Sequence, residues 1–292
     1  MFMRLIASSL LLGFFLIISP NSSQAQEFEI GLLGGLSLYS GDLSPREFGL
    51  FFNDLNPAGG FYLRYRPASR LAFRLGAAFT RLDARDEDAR GSFLGEDGRV
   101  LNFRTDLTDI GLTAEWDLFY LGDRKGNHLA PFVSGGVNVA FYNPEGNLDG
   151  VWYELQPLAT EGQGLGGEMY ASAPYSLSEV VFSIGGGLRW RVSDRVVIGG
   201  ELSGRAVSSD YIDDVSNTRI SYFDILENTG PVAAQLSHPG IGNPAEAEGL
   251  IYSRGGEFSD WYFIGGITIG IIIGESSGGR GGRSNQQGCY QF

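Results

Sequence analysis

The stretch DWYFIGGITIGIIIG, residues 260–274, decides the fold of this 292-residue chain. Its odd positions are mostly large and apolar, from Trp261 and Phe263 to Ile273, whereas its even positions are smaller and more mixed. Glycine and β-branched residues at this density disfavour a helix. Because about ten tilted residues carry a strand across a bilayer, the pattern predicts a transmembrane β-strand with aromatic residues at one interface. A buried strand of a soluble sandwich would look similar in isolation.

The same period-two pattern recurs along the chain and predicts eight strands. They cover residues 27–39, 58–66, 70–81, 104–120, 129–142, 177–191, 196–207 and 260–274. Short turns and long connections alternate strictly between them, beginning and ending with a long one. This order is typical of an all-β, eight-stranded, antiparallel up-and-down transmembrane barrel with both termini in the periplasm. A soluble lipocalin-like barrel or a sandwich is the alternative, but long loops count against a compact soluble domain.

The chain divides into three parts. Residues 1–25 have a positive start at Arg4, a short apolar run and a small-residue cleavage site at Ala25, which together predict a signal peptide. A retained membrane anchor is the competing interpretation. Residues 26–275 form the predicted barrel with four long extracellular loops, and residues 276–292 form a predicted periplasmic tail. The expected location is the outer membrane of a Gram-negative bacterium.

The composition agrees with a barrel and excludes two other classes. The chain has 44 Gly and 20 Phe, which suits tight bends and interfacial aromatics. Its net charge of −13 opposes binding to nucleic acid phosphates. A single cysteine, Cys289, excludes an internal disulfide framework.

Charged residues alternate with the apolar positions of the strands. The predicted inward charges are Arg64, Arg74, Glu115, Asp117, Arg189, Glu201 and Arg205. A soluble core would not tolerate seven charges, whereas the lumen of a membrane barrel can hold them in pairs. We therefore predict a lumen filled by a charge network. A conducting pore is the alternative interpretation.

The sequence shows no catalytic, cofactor or metal constellation. His128 falls in a predicted short turn and His238 in the last long loop, so the two are expected at opposite ends of the barrel. Ser237 precedes His238, but a nucleophile and its base must meet in space rather than in sequence. Asp210, Asp213 and Asp214 supply hard oxygen ligands, yet a solvated acidic loop base is the more common case.

The predicted tail combines features that suit contact with a partner. Arg280 and Arg283 form a local positive patch, and cations near Cys289 would favour its reactive thiolate. Tyr290 and Phe292 add aromatic contact area. We therefore predict that the tail docks a periplasmic partner, with an intermolecular disulfide through Cys289 as a further possibility in that oxidising compartment. The competing interpretation is that the terminal Phe292 serves only as a signal for barrel assembly.

Four blocks of sequence carry a family resemblance. They are WYELQPL with TEGQG at 152–164, YSL with GGGL at 175–188, DYIDDVS at 210–216, and CYQF at 289–292. Together they resemble the PorG-like (DUF6089) outer-membrane barrels of Bacteroidetes-type bacteria. Ala159 stands where relatives often have Gly, and residues 165–173 and 278–282 are less typical.

The resemblance implies a role in the type IX protein secretion system, with periplasmic ring proteins of the PorK and PorN kind as partners. The expected function is therefore a non-catalytic anchor or assembly component without cofactors. The family domain is broader than this one role. A lipid-modifying outer-membrane enzyme and a stand-alone structural or adhesion barrel are the alternatives.

Overall fold

A computed structural model describes the part of the chain that forms the predicted barrel and most of its loops. The described residues are 27–44, 48–50, 52, 54–86, 99–123, 126–241, 243–256 and 259–273. The predicted signal peptide and the predicted tail, including Arg280, Arg283, Cys289, Tyr290 and Phe292, lie outside them.

Eight long strands build the wall, as the sequence predicts. They are β1 Glu27–Ser40, β2 Asn56–Arg66, β3 Leu71–Arg85, β4 Asn102–Asp117, β5 His128–Phe141, β6 Ser178–Arg191, β7 Val196–Val207 and β8 Trp261–Ile273. Each pairs antiparallel with its neighbours in sequence, and β8 returns to pair with β1 from Phe28↔Ile273 to Ser40↔Trp261. The sheet is therefore a closed barrel, which leaves these strands without a free edge.

The predicted boundaries shift most at β3 and β4. β3 continues to Arg85 rather than ending near residue 81, and β4 starts at Asn102 and ends at Asp117. The two strands remain paired up to Arg85↔Asn102. Beyond residue 80 the alternation reverses its polarity, since Leu82 and Ala84 are buried whereas Arg81 and Arg85 are exposed. The sequence pattern therefore underestimates how far this pair rises above the barrel.

The two faces of the wall differ as a membrane barrel requires. On β8, Ile269 is 55% exposed, whereas the adjacent Thr268 is 5% exposed and points into the lumen. Isoleucine, leucine, valine and phenylalanine cover the outside of the other strands in the same way. An apolar outer belt around a charged interior is stable only when lipid surrounds it. The molecule is thus an outer-membrane β-barrel.

The long connections contain structure of their own. The loop after β5 forms a hairpin from Pro144–Leu148 and Val151–Glu154, and its first strand also pairs with β4. The loop between β7 and β8 contains helices α1 Tyr222–Asn228 and α2 Pro231–Ser237. A small apolar core packs these helices together. Among the described residues, no helix is long and apolar enough to cross a membrane.

Candidate functional site

Glu115 is the centre of the charge network inside the barrel. Its carboxylate lies 2.7 Å from Nε of Arg64, 3.2 Å from Nε of Arg74 and 2.5 Å from Nη2 of Arg189. The Glu115 side chain is fully buried. Three guanidinium groups around one carboxylate leave an excess of positive charge, which further acids must balance.

Three further acids complete the balance. Arg64 pairs with Glu29, Arg74 with Glu201, and Arg189 with Asp117, which also binds Arg66 at 2.6 Å. A separate pair forms nearer the end of the barrel that carries the long loops, where Nε of Arg205 lies 2.8 Å from Asp109. The hydroxyl of Tyr262 donates a further hydrogen bond to Asp109. Every ionised group in this network therefore has an oppositely charged partner.

The structure places all seven charges predicted for the lumen inside the barrel, and six of them share the Glu115 network. The sequence analysis missed Glu29, Arg66 and Asp109 as members of these pairs. Each sits at an inward position of its strand, so strict counting by two would have found them. Glu29 was hard to recognise because it lies between two large outward residues near the start of β1.

A small cavity separates the Glu115 network from the Arg205–Asp109 pair. Its volume is about 40 Å³, and its polar lining includes Tyr62, Asn138, Glu201 and Arg205. One water needs about 10–15 Å³ of such space, so the cavity holds a few waters but no hydrated solute. The lumen is filled by side chains over the described part of the barrel.

Acidic residues gather under the long loops. The hydroxyl oxygen of Tyr39 lies 2.6 Å from Asp213 and 2.8 Å from Asp260, and its single proton can be donated to only one of these carboxyl groups at a time. Burial, followed by repulsion between carboxylates, raises the pKa of both acids well above the ordinary range. Burial also raises the pKa of the half-buried Asp210 to about 7. The expected solvated loop base was wrong for Asp213, because the loops fold over it.

A second buried group joins the third and fourth loops. Arg254 lies 3.0 Å from Asp214, which also accepts hydrogen bonds from Thr160 and Tyr175. Asp214 is buried, so the expectation of a solvated carboxylate was wrong here as well. These contacts tie residues far apart in sequence into one cap over the long-loop end of the barrel.

Glu161 belongs to the same group. Its carboxylate accepts hydrogen bonds from the backbone N–H and the hydroxyl of Ser216. Burial is the main cause that raises the pKa of Glu161 to about 8, against the opposing effect of Arg254. The cap thus contains a carboxyl group that titrates near neutral pH.

The structure does not bring the two histidines together. His128 opens β5 at the end of the barrel that carries the short turns, whereas His238 follows α2 in the fourth loop. The ring of His238 packs edge-on against Tyr252, whose hydroxyl lies 2.7 Å from Oγ of Ser237. Within the described residues, no group of three or more His, Cys, Asp or Glu side chains is arranged to hold a metal ion.

Solved structures similar to this chain are bacterial surface barrels. The N-terminal β-barrel domain of Pseudomonas aeruginosa OprF is 13% identical, with 85% of this chain and 97% of that chain covered and a TM-score of 0.33. Neisserial surface protein A is 7% identical, with 87% and 100% covered and a TM-score of 0.39. A major outer membrane protein from Thermus thermophilus is 12% identical, with 86% and 100% covered and a TM-score of 0.37.

Sequence comparison adds one family. Residues 8–151 match the family model described as "Domain of unknown function (DUF6089)". The matched range ends just before Trp152, so it does not include the blocks that carry the PorG-like resemblance. No curated protein matches the chain significantly.

Proposed function

We propose that the chain, whose residues 8–151 match the DUF6089 family model, is a non-catalytic, sealed outer-membrane barrel that anchors a protein-secretion assembly. The finer proposal is a component of the type IX system that contacts a periplasmic ring. Its support is the PorG-like resemblance of the blocks at 152–164, 175–188, 210–216 and 289–292.

The sealed lumen is the observation that carries this proposal. Arg64, Arg74 and Arg189 converge on Glu115 and close the interior with ion pairs. Opposite charges that neutralise each other block a narrow barrel rather than line a path for ions. With ion pairs across the interior, the surfaces left for a task are the lipid-facing wall and the two ends. An anchor or assembly role uses such surfaces.

The partner surface that we propose is the tail, residues 276–292. It follows β8, whose last described residue, Ile273, lies at the end of the barrel with the short turns. We place that end in the periplasm, where Cys289 could form a disulfide with a ring protein of the PorK or PorN kind. Arg280, Arg283, Tyr290 and Phe292 supply charge and aromatic area for the same contact.

The test is cross-linking of native outer membranes followed by recovery of the tagged protein. We expect a periplasmic ring component with the wild type and its loss when residues 280–292 are deleted. Cys289→Ser should remove a reductant-sensitive, higher-mass band from a non-reducing gel without changing barrel folding. Heat-modifiable migration of each variant is the control for folding.

Two results would contradict the proposal. Unchanged partner recovery and unchanged secretion after the deletion would exclude docking through the tail. Steady ion conductance of the purified barrel in a planar bilayer would contradict the sealed lumen, on which the anchor role depends.

A further inference from the structure

The first long connection, between β1 and β2, exposes an unusually apolar segment. Its sequence at 48–55 is FGLFFNDL, with Asp54 as its one charged residue. Among its described residues, Phe52 is 68% exposed and Phe48 is 54% exposed, and Leu50 and Leu55 are exposed as well. Large apolar side chains grouped in this way on an exposed loop mark a contact surface rather than scattered surface residues.

This segment lies against the outside of the wall. Alternation along β1 turns Leu36, Leu38 and Ser40 outward, because Ser37 and Tyr39 bond to groups inside the barrel. Leu36 is exposed, but Leu38 and Ser40 are buried. The segment accounts for this change, since the N–H of Gly49 donates to Oγ of Ser40 at 3.0 Å.

An aromatic contact holds the segment there. The ring of Phe48 packs against Trp261 at 5.3 Å and against Phe263 at 6.0 Å between ring centroids. Both partners point outward at the extracellular end of β8, where Gly204 of β7 leaves room beside Phe263. Residues 48 and 49 therefore lie over the outside of the wall, whereas Leu43 earlier in the same connection is buried in the core under the loops.

The aromatic contact also fixes the height of the segment relative to the membrane. The outward side of β8 runs from Trp261 and Phe263 to the exposed Ile267, Ile269 and Ile271. Aromatic residues at the end of such an apolar belt sit at the membrane interface. The exposed apolar side chains of the first loop are thus continuous with the lipid-facing belt.

We propose that the exposed Phe48, Leu50, Phe52 and Leu55 form an interfacial anchor whose side chains contact the acyl chains of the outer leaflet. The segment is continuous with the lipid-facing belt, and at this height lipid already surrounds it. We therefore assign acyl chains as its contact partner. A nearly uncharged sequence avoids the cost of placing ions at the acyl boundary. Phe48, Leu50, Phe52 and Leu55 of the first connection then contact lipid rather than solvent.

The proposal is tested by the depth of a fluorophore in a lipid vesicle. The full-length Phe52→Cys variant, which also has Cys289→Ser, is labelled with bimane at residue 52. The labelled barrel is then reconstituted in phosphatidylcholine vesicles. Phe52 is the most exposed of the described side chains of the segment, so labelling it should leave the fold intact. Quenching is measured with shallow nitroxide lipids, deep nitroxide lipids and aqueous iodide.

Two labelled positions calibrate the measurement. Ile269→Cys reports the lipid-facing wall, and Val151→Cys reports an exposed position on the hairpin of the third loop. We expect the label at residue 52 to be quenched by shallow nitroxide lipids roughly twofold more than the label at residue 151, with protection from iodide. The label at residue 269 should respond more strongly to the deep nitroxide.

A label at residue 52 that is quenched by iodide as readily as the label at residue 151, without quenching by lipid, overturns the proposal. A photo-cross-linker at residue 52 in native membranes provides the second measurement. Lipid adducts are expected there. A dominant protein adduct would instead identify the segment as a protein-docking surface and overturn acyl-chain contact.

Discussion

Arg64 and Glu115 bind each other across the lumen from strands that are not neighbours, with Nε of Arg64 2.7 Å from Oε2 of Glu115. Glu115→Ala removes the one acid that three arginines share, and it leaves buried positive charge uncompensated. We expect the free energy of unfolding in lipid vesicles to fall by about 3–5 kcal/mol, the usual loss when a buried ion pair is broken. Urea titration measures it.

The matched control is Asp106→Ala. Asp106 pairs with Arg81 at 2.7 Å, but both side chains are exposed on the outside of the wall. Exposed pairs contribute about 0–1 kcal/mol, so this variant should unfold nearly as the wild type does. Equal losses in the two variants would contradict a stabilising network in the lumen.

Ile269→Arg tests the lipid-facing side of β8. Ile269 is exposed on the outer wall, several residues from either end of the strand. An arginine at the bilayer midplane costs about 2–4 kcal/mol, and the penalty falls to about 0–1 kcal/mol near an interface. Ile273→Arg, at the end of the same face, should therefore cost much less. Thr268 points into the lumen, so we expect Thr268→Arg to impair refolding because the larger side chain crowds the interior. Equal penalties at Ile269 and Ile273 in vesicle refolding would mean that the assumed depth is wrong.

Epitope insertion tests the orientation of the barrel. Gly164 lies in the third long loop and Gly126 in a turn at the opposite end, so only a tag at Gly164 should bind antibody on intact cells. Gly95 in the second long loop should behave like Gly164, although it lies outside the described residues. Permeabilised cells supply the control, because both tags should then be accessible. Labelling at Gly126 without permeabilisation would reverse the orientation.

Ala159→Gly should stabilise the third loop. Ala159 adopts φ 50° and ψ 52°, the left-handed region, at the end of a short 3₁₀ helix. A residue with a Cβ loses roughly 1–2 kcal/mol there, and the greater freedom of glycine in the unfolded chain returns about 0.4–1 kcal/mol of that. We expect a net gain of about 0–1.6 kcal/mol by difference. Ala234→Gly inside α2, which should destabilise, is the control in the same urea titration.

The cap formed by the third and fourth loops should become less stable as pH rises. Glu161 has an ordinary pKa of 4.5, which burial raises to about 8 in the folded protein. Between these values the folded state holds a proton that the unfolded state releases. Stability from this group is therefore fully present below about pH 4.5 and is lost as pH rises through about 8.

Hydrogen exchange at the N–H of Ser216, which donates to Glu161, measures this change. After correction for intrinsic rates, we expect greater protection near pH 5 than above pH 8. Glu161→Gln should reduce the pH dependence, whereas Glu248→Gln, at an exposed position in the fourth loop, should not. Protection that increases with pH in the wild type would contradict the assigned direction.

Strand alternation made the barrel predictable from sequence. The wall separates lipid from a polar lumen, so each strand must alternate, and the contrast between Ile269 and Thr268 is visible in the sequence. The same rule placed Arg64, Glu115 and Arg189 on one side. It could not identify their partners, because pairing across a lumen depends on strand tilt and on side-chain reach rather than on local pattern.

The loops were less predictable because their contacts join distant segments. Asp213 and Asp214 have the composition of a solvated turn, yet Tyr39 and Arg254 meet them only after the loops have folded together. The burial of Leu38 likewise depends on where the first loop lies. No local signal distinguishes an apolar loop that rests on the wall from one that extends into solvent.

The contact between β1 and β8 has a consequence for the order of folding. It joins Phe28 to Ile273, so the first strand to be synthesised receives its second neighbour only when the last strand arrives. Until then β1 and β7 present open edges that can pair with other chains. Pairing over so long a sequence separation is also slow. A chain truncated before β8 would therefore remain an open, aggregation-prone sheet. Closure of the barrel thus requires the final strand.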